Sequence, residues 1–133
     1  MDIEVPISPG ELIDKMTILE IKLIKIKDAQ KLTTVKSELR ILSAAYSSLM
    51  KRHKSAKAEV LELKQKLFMV NRQLWNIENV IRSLEAKKDF GTRFVEYARK
   101  VYITNDKRSV LKLRINTLLG SGISEVKEYS NYR

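Results

Sequence analysis

The chain has 133 residues, one His, no Cys and a formal net charge of +10, and this length is typical of a single domain. The absence of Cys excludes a disulfide scaffold and any Cys-based zinc site, and the lone His53 leaves no multi-His metal site within one chain, so we expect no metal and no cofactor. No apolar run is long enough to span a bilayer, and the N-terminus lacks the features of a signal peptide, which predicts a cytoplasmic protein that does not bind membranes.

The predicted helical region begins at a capping signal. Ser8 is a suitable N-cap, Pro9 suits the first helical position and Glu11 suits the third. From Glu11 to Phe90 the chain contains neither Gly nor Pro, and it is rich in strong helix formers. We therefore predict an extended arm over 1–8 that leads into a series of helices.

Apolar residues spaced three and four apart mark the first helix. This stripe ends at Ile26, and a second stripe begins out of phase at Leu32. The break in phase predicts a turn near 28–34, with Thr33 or Thr34 as the N-cap of the second helix.

The second apolar stripe keeps its spacing from Leu32 to Leu84, which is compatible with one long rod or with a hairpin of two helices. The segment 51–57 carries four Lys or Arg residues and no acid, and repulsion among these charges weakens a helix. A hairpin buries the stripes within one chain, whereas a rod has to dimerise. We favour a hairpin with its turn in this segment.

The last helix is bounded by glycines. Gly91 is predicted to take the left-handed conformation after the third helix, Thr92 to cap the fourth helix, and Gly120 to end it. The triplet 104–106 is a poor helix former and a candidate kink. These signals predict an all-α antiparallel bundle of about four helices in one domain, with coiled-coil-like heptad packing. The predicted helices are 9–29, 33–51, 56–88 and 92–119, followed by a polar tail over 120–133.

A polar stripe runs beside the apolar stripe of the third helix. Its members are again three and four residues apart: Asn71, Trp75, Glu78, Arg82 and Glu85. One interpretation is a solvated flank in which Arg82 pairs with Glu78 one turn away. The other is a polar pocket between helices, with Trp75 as a wall and Arg82 as an anion clamp.

Two further segments are dense in polar residues, one at the start of the first helix and one in the last helix. Acids at a helix N-terminus suit the helix dipole without any function, but Glu11 and Asp14 are also spaced to share a hard cation such as Mg²⁺. If the three segments converge, they form one cleft. The candidate ligand-binding residues are Glu11, Asp14, Lys15, Asn71, Trp75, Glu78, Arg82, Tyr102, Asn105 and Asp106.

Basic residues form two clusters, and a strong positive charge favours binding to polyanions. The same charge is also typical of a solubilising surface, and no known nucleic-acid-binding motif is present. The candidate nucleic-acid-binding residues are Lys51, Arg52, Lys54, Lys57, Arg99, Lys100, Lys107, Arg108 and Lys112.

The segment from Val5 to Lys22, which contains Ser-Pro-Gly-Glu-Leu-Ile-Asp-Lys, resembles the opening signature of a small uncharacterised family of bacteria and phages. That family is a domain of unknown function. Segments 71–85, 99–106 and 115–116 resemble its later signatures. The resemblance implies an all-helical cytoplasmic protein and implies no activity.

Three functions remain open. The leading hypothesis is a non-enzymatic binding or adaptor protein that meets a protein partner or a second copy of itself, since long heptad stripes commonly bury against another helix. The first alternative is nucleic-acid binding through the basic clusters 51–57 and 99–114. The second alternative is a small-molecule or Mg-nucleotide site in a polar cleft between helices.

Overall fold

The computed structural model describes residues 1–132, and over these residues the chain is all-α without a strand. Four helices follow the N-terminal arm, and a short 3-10 turn at Lys54–Ala56 separates the second from the third. The predicted all-α fold class and the predicted turn in the segment 51–57 are therefore confirmed, and the single-rod alternative is wrong. The helices are α1 (Pro9–Lys25), α2 (Ala29–Arg52), α3 (Lys57–Ala86) and α4 (Thr92–Leu118). α2 packs mainly on α1 and makes few direct contacts with α3.

The caps of α1 and α2 show which polar side chains begin each helix. Ser8 caps α1 as predicted, because its Oγ accepts the Glu11 N–H at 3.1 Å. α2 is capped by Asp28, whose Oδ1 accepts the N–H groups of Gln30 and Lys31. The prediction of Thr33 or Thr34 as this cap is wrong, since α2 has already begun and both hydroxyls donate to carbonyls one turn back.

The turn between α3 and α4 differs from the prediction at Gly91 and Thr92. Lys88 takes the left-handed conformation, with φ +55°, and the Asp89 N–H closes the end of α3 on the Leu84 carbonyl. Gly91 is extended and is itself the N-cap of α4, so Thr92 is the first helical residue. The presence of Gly91 predicts the left-handed position at that residue, but Lys88 occupies the position that a glycine usually takes.

α4 runs without a break through 104–106, the predicted kink position. Thr104 is buried at this point and packs into the bundle. The helix ends as predicted, since Gly120 has φ +66° and the Ser121 N–H donates to the Asn116 carbonyl.

The helices pack around α1, which contacts α2, α3 and α4, while α3 and α4 form the largest pair. The main core lies where the start of α1, the end of α2, the start of α3 and the end of α4 meet. None of the helices within 1–132 is both long and apolar enough to cross a membrane. The core residues are Ile13, Met50, Val60, Leu63, Leu67, Leu111, Ile115 and Leu119.

α1 and α4 approach very closely at Gly10. The Gly10 N–H donates to Asn116 Oδ1 at 2.7 Å, and a Cβ at this position would lie 2.4 Å from the Lys112 carbonyl oxygen. Only a residue without a side chain fits this crossing. The crossing sets the position of α1 against α4, and therefore the positions of the side chains that meet between these two helices.

Candidate functional site

Asp14 is the centre of a buried hydrogen-bond network between α1, α3 and α4, and its side chain is completely buried. Arg108 donates from Nε and Nη2 to the two carboxylate oxygens, at 2.8 and 2.5 Å. Asn71 Nδ2 donates to Asp14 Oδ1 and to Thr17 Oγ1, both at 2.8 Å, while the Thr17 hydroxyl donates to the Asp14 carbonyl. We call these four residues the Asp14 network.

The Asp14 network fixes the charge state and the position of Arg108. The hydrogen bonds to Asp14 raise the pKa of the Arg108 guanidinium, against the opposing effect of burial. A bidentate pair of this kind holds the planar guanidinium in one orientation. Arg108 is therefore a fixed cation in the wall of the bundle.

A cleft of about 450 Å³ lies directly against the Asp14 network, and we call it the Trp75 cleft. α3 supplies most of its wall, with α1 and α4 on the other sides. The apolar part comes from Ile18, Ile21 and Leu74, and the rest is polar or amphipathic. The full lining is Ile18, Ile21, Asn71, Leu74, Trp75, Glu78, Asn79, Arg82, Asn105 and Arg108.

The cleft wall carries hydrogen-bonding groups that the described part of the chain, 1–132, leaves without a partner. Within residues 1–132, Arg108 Nη1, Asn71 Oδ1, the Trp75 indole N–H and the Asn105 side-chain amide have no partner. No buried side-chain nitrogen or oxygen in the described residues lacks a partner, so these groups are open to the cleft or to solvent. Such groups are available to a ligand.

Glu78 and Arg82 form the outer part of the cleft. Arg82 Nε lies 3.5 Å from Glu78 Oε2, and the side chain of Arg82 is 79% exposed while that of Glu78 is 47% exposed. An exposed pair of this geometry contributes little to stability. Both charges can therefore turn to a ligand at small cost.

A second polar cluster lies at the other end of α1, and we call it the Lys112 cluster. Lys112 Nζ contacts Glu11 at 2.7 Å and Glu125 of the tail at 3.1 Å. Burial lowers the pKa of Lys112, but the hydrogen bonds to Glu11 and Glu125 outweigh this effect, so the pKa of Lys112 is raised. The hydrogen bond from Lys112 also lowers the pKa of Glu125. The tail thus closes over α4 at this point.

The structure gathers about half of the candidate ligand-binding residues in one place. Asn71, Trp75, Glu78, Arg82 and Asn105 line the Trp75 cleft. Asp14 lies behind them and is joined to the wall through Asn71 and Arg108.

The other candidate residues lie elsewhere. Glu11 belongs to the Lys112 cluster, Lys15 is exposed outside the cleft, and Tyr102 and Asp106 face the tail at Tyr132. The predicted Mg²⁺ pair is not formed, because Glu11 and Asp14 each bind a different cationic side chain. Within 1–132, no three His, Asp or Glu side chains are grouped to hold a metal ion.

The two basic clusters also separate into free and occupied residues. Arg108 and Lys112 are held by carboxylates inside the protein, so they are not part of an open basic surface. Lys100 lies over the Tyr97 ring with its Nζ 4.3 Å from the centroid. The remaining candidate bases are exposed: Lys51, Arg52, Lys54, Lys57, Arg99, Lys100 and Lys107.

Sequence reasoning missed part of the cleft. The basic cluster 99–114 predicts that Arg108 belongs to a nucleic-acid-binding surface, whereas the structure places it as the fixed cation of the cleft wall. Asn79 could have been found, since it lies one helical turn after Trp75. Thr17 carried no signal that separates it from an ordinary helical threonine.

The fold and the cleft define a four-helix protein with a polar site between α1, α3 and α4. The chain belongs to DUF6165, a family of unknown function, whose model matches residues 3–132. Neither the curated proteins nor the solved structures give a significant match. Function therefore has to be argued from the site itself.

Proposed function

We propose that this chain is a non-enzymatic binding protein that holds a small polar ligand in the Trp75 cleft. The observation that carries the proposal is that Asn71, Trp75, Asn105 and Arg108 line one concave surface and keep hydrogen-bonding groups that have no partner among residues 1–132. A volume of about 450 Å³ is within the range of small-molecule sites.

The wall of the cleft is organised before any ligand arrives. Asp14 and Thr17 hold Asn71, and Asp14 holds Arg108 by two hydrogen bonds. Side chains fixed in this way lose little further freedom when a ligand binds, which favours affinity. This supports a built site rather than a gap between helices.

The ionisable groups that line the cleft favour binding over catalysis. They are Glu78, Arg82 and Arg108, and a guanidinium does not give up its proton in proteins. Among the described residues, Glu78 is then the one lining group that can transfer a proton, and the lining offers it no second acid or base to work with. Binding and orientation are the chemistry that these groups support best.

The test uses Trp75, which is the only tryptophan in the chain and lines the cleft. Intrinsic fluorescence is recorded while a library of small polar metabolites is added to the full-length protein. We expect at least one compound to change the Trp75 emission saturably. Asn105→Ala should weaken this binding, while Asn76→Ala on the exposed surface of α3 is the matched control. No saturable change at millimolar concentrations, or equal weakening by both variants, contradicts the proposal.

The second candidate function is polyanion binding at the α2–α3 turn. Lys51, Arg52, Lys54 and Lys57 are exposed there and form no ion pair within 1–132. Fluorescence anisotropy with labelled oligonucleotides at increasing salt tests it. Binding through these bases should weaken steeply with salt, and replacing Lys51 and Lys54 by Glu should abolish it. Salt-independent binding, or none, excludes this function.

A further inference from the structure

The Trp75 cleft has two chemically different ends. Along α3, Asn71 and Arg82 are eleven positions apart, which is about 17 Å of helix. Asn71 is 5% exposed, whereas the Arg82 side chain is 79% exposed. The Asn71 end is therefore the inner end and the Arg82 end is the mouth, with Trp75 and Glu78 in order between them.

We infer, on the basis of the binding function proposed above, that the ligand is a nucleotide unit. Its base lies at the inner end against Trp75, its ribose lies beside Glu78, and its phosphate lies at the mouth on Arg82. Each of these three moieties has a matching group in the cleft.

The inner end matches the edge of a base. Asn71 Oδ1 is an acceptor, and Arg108, held beside Asn71 by their shared partner Asp14, offers Nη1 as a donor. Asn105, elsewhere in the lining, can supply one of each from its amide. Arg and Asn are side chains that read base edges by hydrogen bonds. Because the Asp14 network fixes Asn71 and Arg108, these groups present a fixed pattern.

Trp75 supplies an aromatic ring on which a base can stack. It lines the cleft beside Leu74 and is partly buried. Stacking of a base on an aromatic side chain tolerates any base and contributes substantially to binding. The hydrogen bonds of the inner end then supply the specificity.

The outer part of the cleft matches a sugar and a phosphate. A carboxylate is a suitable acceptor for ribose hydroxyls, and Glu78 lies one turn after Trp75. A guanidinium binds phosphate in a planar, charge-assisted contact. Arg82 is free to do so because its contact with Glu78 is long and exposed.

The nucleotide unit has two possible sources, a free mononucleotide or the terminal nucleotide of a single strand. The mouth of the cleft is open at Arg82, so a strand can leave it. Both sources present the same base, ribose and phosphate to the cleft, and the experiment separates them.

The experiment titrates the full-length protein with nucleosides and nucleoside monophosphates. Binding is followed by calorimetry and by Trp75 emission excited at the red edge of the indole band, where bases do not absorb. We expect at least one monophosphate to bind more tightly than its nucleoside. Arg82→Ala should weaken the monophosphate about ten- to a hundredfold and leave the nucleoside unchanged. Arg72→Ala, an exposed Arg on α3 outside the cleft, should change neither.

The ribose contact has its own matched pair of variants. Glu78→Gln should remove any preference for the ribonucleotide over the deoxyribonucleotide, while Glu85→Gln, exposed on the same helix, should preserve it. Equal losses in the Arg82 and Arg72 variants, or in the Glu78 and Glu85 variants, overturn the nucleotide assignment.

The source of the nucleotide is separated by adding short single strands. A strand end is the source if free mononucleotides do not bind, but strands quench Trp75 and lose affinity in Arg82→Ala. Strands that bind without any change at Trp75 show a surface contact and overturn the inference. If nucleotides do not bind but other metabolites bind in the cleft, the nucleotide assignment is wrong and the proposed binding function stands. If no compound binds in the cleft, the proposed binding function itself is wrong.

Discussion

Arg108 on α4 holds both carboxylate oxygens of Asp14 on α1, across 94 residues of sequence. Asp14 is completely buried, and its carboxylate also accepts a hydrogen bond from Asn71 on α3. One carboxylate therefore joins three helices at the floor of the Trp75 cleft. A buried charge of this kind is costly unless it is fully paired, so the pair constrains both the bundle and the cleft.

Removing the cation of this pair should destabilise the protein strongly. Arg108→Met leaves a buried carboxylate without its main partner, and we expect the free energy of unfolding to fall by about 3 kcal/mol or more. Urea denaturation followed by circular dichroism measures it. Arg99→Met, at an exposed position of α4, should change stability by less than about 0.5 kcal/mol. A loss below about 1 kcal/mol in Arg108→Met contradicts the network described above.

The close crossing of α1 and α4 predicts a large effect of a single methyl group. In Gly10→Ala the new Cβ meets the Lys112 carbonyl oxygen at 2.4 Å and Asn116 Oδ1 at 2.8 Å. The helices have to separate, and we expect a loss of about 1–3 kcal/mol. Gly122→Ala is the control, since no atom of the described residues lies within 4 Å of its Cβ position. Equal melting temperatures for the two variants contradict the crossing.

Lys88 offers a stabilising substitution. It has φ +55° in the turn after α3, a conformation that is costly for a residue with a side chain. Lys88→Gly should raise the free energy of unfolding by about 0.5–1 kcal/mol. Lys87→Gly loses the same charge at φ −87° and should give no gain. Stabilisation by both variants assigns the effect to charge rather than to backbone conformation.

The contact between Glu125 and Lys112 predicts how pH acts on the tail. The hydrogen bond from Lys112 lowers the pKa of Glu125 below 4.5, so the contribution of this pair is present above that value. It is lost as pH falls through the lowered pKa, because protonation removes the charge. Amide resonances of 124–127, followed by NMR from pH 7 to pH 3, should move with a midpoint below 4.5.

Glu125→Gln is the control for that titration. In this variant the tail resonances should already lie at their acidic positions at neutral pH, and the transition should disappear. An unchanged transition, or a midpoint above 4.5 in the parent protein, assigns the change to another group. At the alkaline end the pKa of Lys112 is raised above 10.5, so the pair should persist to that pH.

The helices could be predicted from the sequence because their signals are local. The spacing of apolar residues, the Ser8 cap and Gly120 each act within a few residues. The turn before α4 could not be predicted, since the left-handed position is held by Lys88 and not by Gly91. There the packing of α3 on α4 overrides the preference of the individual residue.

The α3 side of the cleft could be predicted for the same reason. Asn71, Trp75, Glu78 and Arg82 share one face of a helix, and spacing alone places them together. The pairing of Asp14 with Arg108 depends on how α1 crosses α4, which Gly10 determines by its close approach. Sequence spacing carries no information about a contact between distant helices.

The most direct measurement is an NMR titration of uniformly ¹⁵N-labelled protein with nucleoside monophosphates. It observes the Trp75 indole and the side-chain amides of Asn71, Asn79 and Asn105, all of which line the cleft. We expect saturable shifts at these four side chains, while the side-chain amide of Asn76 on the exposed face of α3 does not move. Shifts confined to the basic α2–α3 turn, with the four cleft side chains unchanged, would show that the nucleotide does not bind in the cleft.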